Sequence, residues 1–200
     1  VAVARRESII DNANITPGLS IIGFSSSGRA SYESNLNSGI GSNGLTSARH
    51  ELLSKHYAEN YPETYDPLTD SEYIYCGPHR MNDQLPESEL KVGEALLSPT
   101  RTYLPIIKKV SEEIGKELKG AVHCSGGGQT KCLRFGTKVK FVKDNLFQPP
   151  PIFKEIQKVS KTSTKEMFQV YNMGHRLEIF CSPRFESTLL DIADEFHIKA

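Results

Sequence analysis

Several features that mark whole classes of protein are absent from this sequence. The longest apolar runs are a handful of residues, far short of the roughly 20 that a membrane-spanning helix needs. Lysine plus arginine and aspartate plus glutamate are equal at 24 each, so no net charge is present to gather nucleic acid or an anionic membrane. We therefore expect a protein that binds neither, although a local basic pocket is compatible with this balance.

The sequence also predicts neither a disulfide framework nor a signal peptide. The four cysteines lie far apart with no CxxC pair, which suits reduced, mostly buried thiols in a cytoplasmic protein. The first residues lack a basic start followed by a long apolar core. Cys76 and His79, in CGPH, have ligand-like spacing, but no second pair lies nearby and we predict no metal site there.

The chain instead contains alternating strand and helix patterns. Strands are predicted in VAVARRESII, LSIIGFS, AVHCS, KVKFV and RLEIFC. Helices are predicted from Leu45, capped by Ser42 or Asn43, from Tyr103 to Gly120, and in QTKCLRF, PPPIFKEIQKVS, TKEMFQVY and FESTLLDIADEF. Residues 58–92, polar and punctuated by proline, are predicted to be a surface excursion outside the core. This interleaving predicts an α/β or α+β sandwich, with a mixed sheet packed by helices.

Two glycine-rich turns, SSSGRASYESNLNSGIGSNG and SGGG, have the same setting. Each follows an apolar strand and precedes a helix pattern, so backbone N–H groups and the positive end of a helix can converge on one anion. Either alone is more often a plain turn, but two in one domain favour anion binding. GGGQTK is not the phosphate loop GxxxxGK[ST], because Lys131 follows Thr130 and the spacing differs.

Three side chains near these turns are candidates for chemistry. His123, beside the GGG turn, is a candidate for proton transfer or phosphate contact, although a purely structural histidine is the commoner interpretation. Cys124 has no identifiable partner base, so a buried thiol is favoured over a nucleophile. Arg101, in SPTRTY, is suited to pair with a phosphate bidentately, and a plain surface arginine is an equal alternative.

Together these segments resemble one family. IIDNANITPGLSIIGFSSSG, GSNGLTSAR, LLSPTRTYLP, AVHCSGGG, PPPIFKEIQ and EMFQVYNMG match, in order, the patterns of the phosphoribosylformylglycinamidine cyclo-ligases, also called AIR synthases. PPPIFKEIQ and EMFQVYNMG are the most specific, because related ATP-using families usually lack them. The resemblance implies a C-terminal α/β sandwich domain over residues 16–200, with residues 1–15 a remnant of an N-terminal ATP-binding domain and its connector.

The resemblance also implies an activity, partners and a site. The family uses ATP and Mg²⁺ to close the imidazole ring of aminoimidazole ribonucleotide from formylglycinamidine ribonucleotide, commonly as a homodimer. We expect the isolated half to be inactive, because the DGVGTK-type motif of the ATP-binding half is absent. By position, His123 is implied to be closest to the chemistry. The implied substrate-binding residues are Ser27, Gly28, Ser42, Asn43, Gly44, Arg101, Gly126, Gly127, Gly128 and Asn172.

Three departures from the family pattern leave alternatives open. Gly41 stands where the pattern SSGxHSNG has histidine, and we expect the role to be lost or supplied elsewhere, with Arg29 as a candidate. RASYESNLNS, residues 29–38, is an insertion that we expect to fold over the pocket mouth. His175 replaces a small apolar residue. A paralogue that binds a nucleotide-like ligand without catalysis, or another ATP-using member of the superfamily, are the alternative functions.

Overall fold

A computed structural model describes residues 3, 5, 6, 9–42 and 44–200 of the chain. The helices of this part are α1 Leu45–Leu52, α2 His56–Asn60, α3 Val92–Leu96, α4 Leu104–Ile114, α5 Pro151–Ser160, α6 Thr164–Val170 and α7 Glu186–Glu195. The strands are β1 Ser20–Ser25, β2 Leu118–His123 and β3 His175–Cys181.

The three strands form one antiparallel sheet in the order β1-β3-β2. Ile179 of β3 lies opposite Ile22 on one side and Ala121 on the other, and β3 is buried over its whole length. β1 and β2 run in the same direction but are separated by β3, so no parallel ladder forms among the described residues. The predicted α+β class is confirmed, and the expected mixed sheet is corrected to an antiparallel one.

Helices α4 and α7 cover one face of the sheet. Phe24, Leu177 and Ile179 pack there against Ile106 of α4 and Leu189 of α7. Both helices show the predicted three-to-four-residue spacing of apolar side chains, and this periodicity gives each an apolar face for the sheet. A second core, away from the sheet, joins α1, α3, α5 and α6.

Residues 58–92 contribute to that second core, contrary to the prediction of a surface excursion. Ile74, Tyr75 and Leu85 are buried within it. Gly77 lies against the end of α1, where its N–H donates to Leu53 O and a Cβ would come within 2.2 Å of Glu51 O. The few apolar side chains in a polar segment are therefore core residues, because the backbone around them is docked on a helix.

Several local predictions need correction. The helix predicted to end at Gly120 ends at Ile114, where Gly115 has φ +49°, and Leu118 to Gly120 already belong to β2. KVKFV forms no strand, QTKCLRF lies in a 3₁₀ helix, Gly128–Arg134, and Gly44 rather than Ser42 caps α1. The strand predicted over residues 1–10 lies largely outside the described residues.

The remaining sequence predictions fare better. The strands in LSIIGFS, AVHCS and RLEIFC and the helices α1, α5, α6 and α7 are confirmed. All four cysteines are free thiols, and three of them are buried. His79 of the CGPH segment pairs with Glu155 at 2.9 Å (Nε2 to Oε1). None of the described helices combines the length and the apolar character needed to cross a bilayer.

Candidate functional site

One end of the sheet brings the glycine-rich segments together. β1 and β2 end there at Ser25 and His123, and the antiparallel β3 begins there at His175. The loops that follow β1 and β2, and the loop that precedes β3, must therefore meet. These loops carry the predicted site residues except Arg101, which reaches the same place from the segment before α4.

The insertion in the loop between β1 and α1 is closed at its base by two backbone hydrogen bonds. A backbone pair between Gly28 and Asn37, with N···O distances of 3.0 and 2.9 Å, joins the two ends of the insertion. Within the insertion, the Tyr32 hydroxyl donates to Thr102 O at 2.6 Å, and the Ser31 N–H donates to Phe196 O at 2.9 Å. The insertion is thus packed on the start of α4 and the end of α7, and the expectation that it covers a pocket mouth stays a prediction.

Arg101 holds the first half of this loop. Its guanidinium forms a two-pronged pair with Glu33 (Nε to Oε1 2.8 Å, Nη2 to Oε2 2.7 Å). It also donates to the carbonyls of Ser25 at 2.8 Å, Ser27 at 3.1 Å and Gly28 at 3.0 Å. Burial opposes ionisation of Glu33, but the hydrogen bonds from Arg101 and Ala30 outweigh it and lower the pKa of the carboxyl. The geometry gives Arg101 a role in positioning the loop and does not support its direct contact with a phosphate.

Asn172 connects the other loops. Its Oδ1 accepts hydrogen bonds from Ser26 Oγ at 2.8 Å and from the Gly174 N–H at 2.9 Å, and its Nδ2 donates to Gly39 O at 2.9 Å. Gln129 Nε2 donates to the carbonyl of Asn172 at 2.5 Å, which adds the turn after β2. The predicted substrate-binding Asn172 is therefore buried and fully bonded within the protein.

The GGG turn after β2 has one exposed and one buried glycine. Gly126 is exposed, whereas Gly128 is buried against α6, with a φ of +49° and room for no Cβ, since Tyr171 O would lie at 2.5 Å. Gly127 has a φ of +97°. Lys131 Nζ donates to Ser125 Oγ at 2.6 Å across this turn. Glycine is required at 128 by packing and at 127 by backbone conformation.

His123 stands at the mouth of this turn. Its ring lies edge-on to Tyr103, with 6.4 Å between centroids. Partial burial of the imidazole, and then the positive charges of Arg176 and Lys131, lower its pKa. The histidine is therefore neutral at pH 7 and is able to accept a proton.

The second half of the loop starts α1. The Ser42 N–H donates to Thr100 Oγ1 at 3.0 Å, and Ser42 itself is exposed. Gly44 has a φ of +72°, and a Cβ there would lie 2.5 Å from Tyr171 Cε1. Asn43, which was also predicted to bind substrate, lies outside the described residues.

Sequence reasoning missed Arg176, a buried cation at this site. Its Nη2 donates to Ile40 O at 2.6 Å, whereas its Nη1 is buried with no hydrogen-bond partner. Burial lowers the pKa of this guanidinium. Arg29, the expected substitute for the missing histidine, is exposed. The signal for Arg176 in the sequence is a charged residue near the start of the strand pattern RLEIFC, where Glu178 is a second charged residue.

A separate polar cluster lies on the face of the sheet opposite α4. Lys143 forms a close ion pair with the buried Glu178, and a cavity of about 280 Å³ adjoins the pair. His175 lines the cavity, stacks on Phe147 at 4.1 Å between centroids and accepts the Phe147 N–H at 3.0 Å through Nε2. Burial, and then the charge of Lys143, lower the pKa of His175 to about 4. His175 is therefore a neutral packing residue, which accounts for its departure from the family pattern.

The loop end of the sheet thus contains a neutral histidine, an unpaired cation and backbone turns rich in glycine. The nearby thiol of Cys124 is buried, and burial raises its pKa, so the described residues offer no activated cysteine there. These groups are suited to hold and orient an anion and to move a proton.

Comparison with known proteins supports the resemblance. The family model described as AIR synthase related protein, C-terminal domain, matches residues 16–200. The chain is 29% identical over 200 residues to the phosphoribosylformylglycinamidine cyclo-ligase of Methanocaldococcus jannaschii, covering all of this chain and 48% of that protein. The same enzyme of Methanococcus vannielii is 30% identical over 201 residues, with 100% and 47% covered.

A bacterial relative gives a similar result. The phosphoribosylformylglycinamidine cyclo-ligase of Caldicellulosiruptor saccharolyticus is 30% identical over 198 residues, which cover 98% of this chain and 53% of that protein. The chain spans about half the length of the curated relatives it matches. With its antiparallel sheet, its covering helices and its loop motifs in family order, the chain belongs to the AIR synthase related proteins, as their C-terminal domain.

Proposed function

We propose that this chain is the substrate-orienting half of an ATP-dependent cyclo-ligase that converts formylglycinamidine ribonucleotide to aminoimidazole ribonucleotide. The observation that carries the proposal is the meeting of the SSSG, GSNG, SPTR, HCSGGG and NMG segments at one end of the sheet. The antiparallel topology brings these loop ends to one place, and the glycine-rich turns, the neutral His123 and the cation of Arg176 found there are together suited to one anionic ligand.

In this proposal ATP is the second substrate, and its γ-phosphoryl group activates the amide oxygen of the ribonucleotide. A substrate nitrogen then closes the ring, and ADP and phosphate are released. Orientation of the reacting groups and neutralisation of their negative charge are the contributions asked of the protein. On this chain, we assign orientation to the loops around Ser27, Gly28, Ser42 to Gly44 and the GGG turn.

We assign Mg²⁺ and most ATP contacts to the rest of a longer protein. Among the described residues, no three His, Cys, Asp or Glu side chains come together in a way suited to a metal ion. Residues 16–200 carry the family match, and we propose that residues 1–15 belong to the end of a preceding ATP-binding domain and its connector. We also propose that the full-length protein is a homodimer.

His123 is the proposed catalytic residue. It is neutral at pH 7, because partial burial and two nearby cations lower its pKa, and it is the last residue of β2, just before the GGG turn. A neutral imidazole at this position is able to take the proton that the substrate nitrogen loses when the ring closes.

The experiment is an assay of ADP release by the full-length protein with formylglycinamidine ribonucleotide. We expect substrate-dependent turnover, a loss of at least tenfold in kcat for His123→Ala, and an increased KM for Asn43→Ala. His56→Ala, on α2, is the matched control and should leave both constants unchanged. Absence of turnover by the full-length protein contradicts the proposal, and turnover by residues 1–200 alone contradicts the division of labour.

The alternative function is a paralogue that binds a nucleotide-like ligand without catalysis, or another ATP-using member of the superfamily. Gly41, in place of the motif histidine, is the observation that favours it. Ribonucleotide binding by the full-length protein without ADP release would favour the non-catalytic paralogue. ADP release with a different acceptor would favour the second alternative.

A further inference from the structure

The guanidinium of Arg176 occupies the space that a side chain at position 41, where the family pattern has histidine, would fill. A Cβ on Gly41 would lie 2.3 Å from Nη2, 2.6 Å from Cζ and 2.9 Å from Nη1 of Arg176. Gly41 also has a φ of +57°, which disfavours any side chain there. A residue larger than glycine at 41 and the arginine at 176 therefore compete for the same space.

Arg176 is short of partners for a buried charge. Nη2 donates to the carbonyl of Ile40 at 2.6 Å and more weakly to that of Gly39 at 3.5 Å, whereas Nη1 donates to nothing. No ion pair with a carboxylate forms at Arg176 in the described part of the chain. An unpaired buried cation destabilises the free protein, and perturbed charges of this kind are concentrated at functional sites.

The groups around Arg176 do not neutralise it. The nearby phenol of Tyr103 and thiol of Cys124 stay protonated, because burial raises the pKa of each. His123 is neutral, in part because Arg176 lowers its pKa. The positive charge of Arg176 is therefore uncompensated by these groups, and its field acts on the end of the sheet where the loop after β1 and the GGG turn meet.

We propose that Arg176 takes the place of the motif histidine and binds an anionic phosphoryl oxygen of the ligand through Nη1. This inference rests on the proposed function for the identity of the ligand, a ribonucleotide. Because Nη1 is enclosed, the anion reaches it when the backbone at Gly41 shifts. Gly41 has no side chain that would have to break a contact in this shift. Ser42 is held by two hydrogen bonds to Thr100.

The first experiment measures anion binding by the full-length protein. Calorimetric titration with inorganic phosphate should show binding that weakens about 10- to 100-fold in Arg176→Met and is partly recovered in Arg176→Lys. Arg184→Met is the matched control, because Arg184 is exposed and makes surface contacts, an ion pair with Glu117 at 3.5 Å and a contact with the Phe185 ring at 4.9 Å. Steady-state assays should show the same increase in KM for formylglycinamidine ribonucleotide.

The second experiment exchanges the two positions. Gly41→His alone should lose ribonucleotide affinity, because the imidazole collides with the guanidinium. The double variant Gly41→His/Arg176→Gly should bind the ribonucleotide at least tenfold more tightly than Arg176→Gly, because the histidine then has room and supplies the missing contact. A merely structural Arg176 would give variants that differ in thermal unfolding but not in KM or phosphate affinity.

The outcomes separate this inference from the proposed function. If the wild-type protein turns over but Arg176→Met leaves both KM and phosphate affinity unchanged, the inference fails and the function stands. If the wild-type protein shows no turnover but binds phosphate in an Arg176-dependent way, the function fails and the inference stands. Absence of phosphate binding by the wild-type protein, with an unchanged KM in Arg176→Met, also overturns the inference.

Discussion

Two buried arginines contact the loop between β1 and α1, and they differ in how many of their donors have hydrogen-bond partners. Arg101, at the first half, forms five hydrogen bonds, two of them to the carboxylate of Glu33. Arg176, at the second half, has no carboxylate among the described residues and leaves Nη1 without a partner. The arginine in a family motif is thus part of the architecture, whereas the arginine outside the motifs has bonding capacity left for a ligand.

The difference shows how burial and pairing together distinguish structural charges from functional ones. A buried charge with all its donors used stabilises one conformation of the chain. A buried charge with unused hydrogen-bond donors lowers the stability of the ligand-free protein, and a bound anion compensates for this cost. The following predictions test this contrast, from the largest expected effect to the smallest.

Replacing each arginine by methionine is the strongest test. Arg101→Met removes five hydrogen bonds, two of them to the carboxylate of Glu33, which loses its charge partner, so we expect a loss of about 3–5 kcal/mol in the free energy of unfolding. Arg176→Met removes an unpaired buried charge, so we expect the free energy of unfolding to be unchanged or to increase by up to about 4 kcal/mol. Urea denaturation of both variants measures this, and equal losses would abolish the contrast.

Alanine at two glycines of the same loop tests the space around Arg176. Gly28→Ala introduces strain at a φ of +88° but meets no atom within 4 Å, so we expect a loss of about 1 kcal/mol. Gly41→Ala also displaces the guanidinium, so we expect a loss of about 2–3 kcal/mol. In the Arg176→Met variant, Gly28→Ala and Gly41→Ala should lower the free energy of unfolding by similar amounts. A larger loss for Gly41→Ala in that variant would contradict the proposed competition for space between position 41 and the guanidinium.

The pH dependence of stability tests the pairing at Arg101. The pKa of Glu33 is lower in the folded protein than in the unfolded chain, where it is about 4.3. The folded state therefore binds fewer protons, and the stability from this pair is present above about pH 4.3 and is lost as pH falls through the lower pKa of the folded state. Subtracting the unfolding free energies of Glu33→Gln from those of the wild type over this range isolates the effect, and a pH-independent difference would disprove it.

The smallest effect is expected at Ser26. Ser26→Ala removes the 2.8 Å hydrogen bond to Asn172 Oδ1, which keeps the Gly174 N–H as a donor, so we expect a loss of about 1 kcal/mol. Ser42→Ala, at an exposed position near Arg176, should change stability by less than about 0.5 kcal/mol. Chemical denaturation resolves the two, and a larger loss at Ser42 would reverse the assignment of which half of the loop is structural.

Much of the fold could be predicted from periodicity, and the misses have specific physical causes. The alternation in KVKFV predicts a strand, but its apolar positions are satisfied by packing alone. Phe141 lies edge-on to Phe180 at 5.8 Å between centroids, without a backbone ladder. Leu118 continues the helical spacing of α4, yet Gly115 ends the helix through its positive φ. Hydrophobic spacing reports which side chains are buried and does not by itself fix the backbone that carries them.

The site was predictable only as far as its motifs extend. The two glycine-rich loops were predicted as candidate anion sites and lie at one end of the sheet, but the motif residues Arg101 and Asn172 are bonded to the protein itself. Arg176 could not be found, because its significance depends on a space left by Gly41, 135 residues earlier in the chain. Only three-dimensional packing connects a missing side chain at one position with a buried charge at another.

The position of β3 has a consequence for how the protein is made. β1 and β2 do not pair with each other, since each is hydrogen-bonded only to β3 within the sheet. β3, His175–Cys181, follows both flanking strands in the chain, so neither of them can pair in the sheet until β3 has been synthesised. A nascent chain that ends before residue 175 therefore exposes two unpaired strand edges to chaperones or to other chains. The sheet, and the loops that meet at its end, form in a late step that depends on contacts distant in sequence.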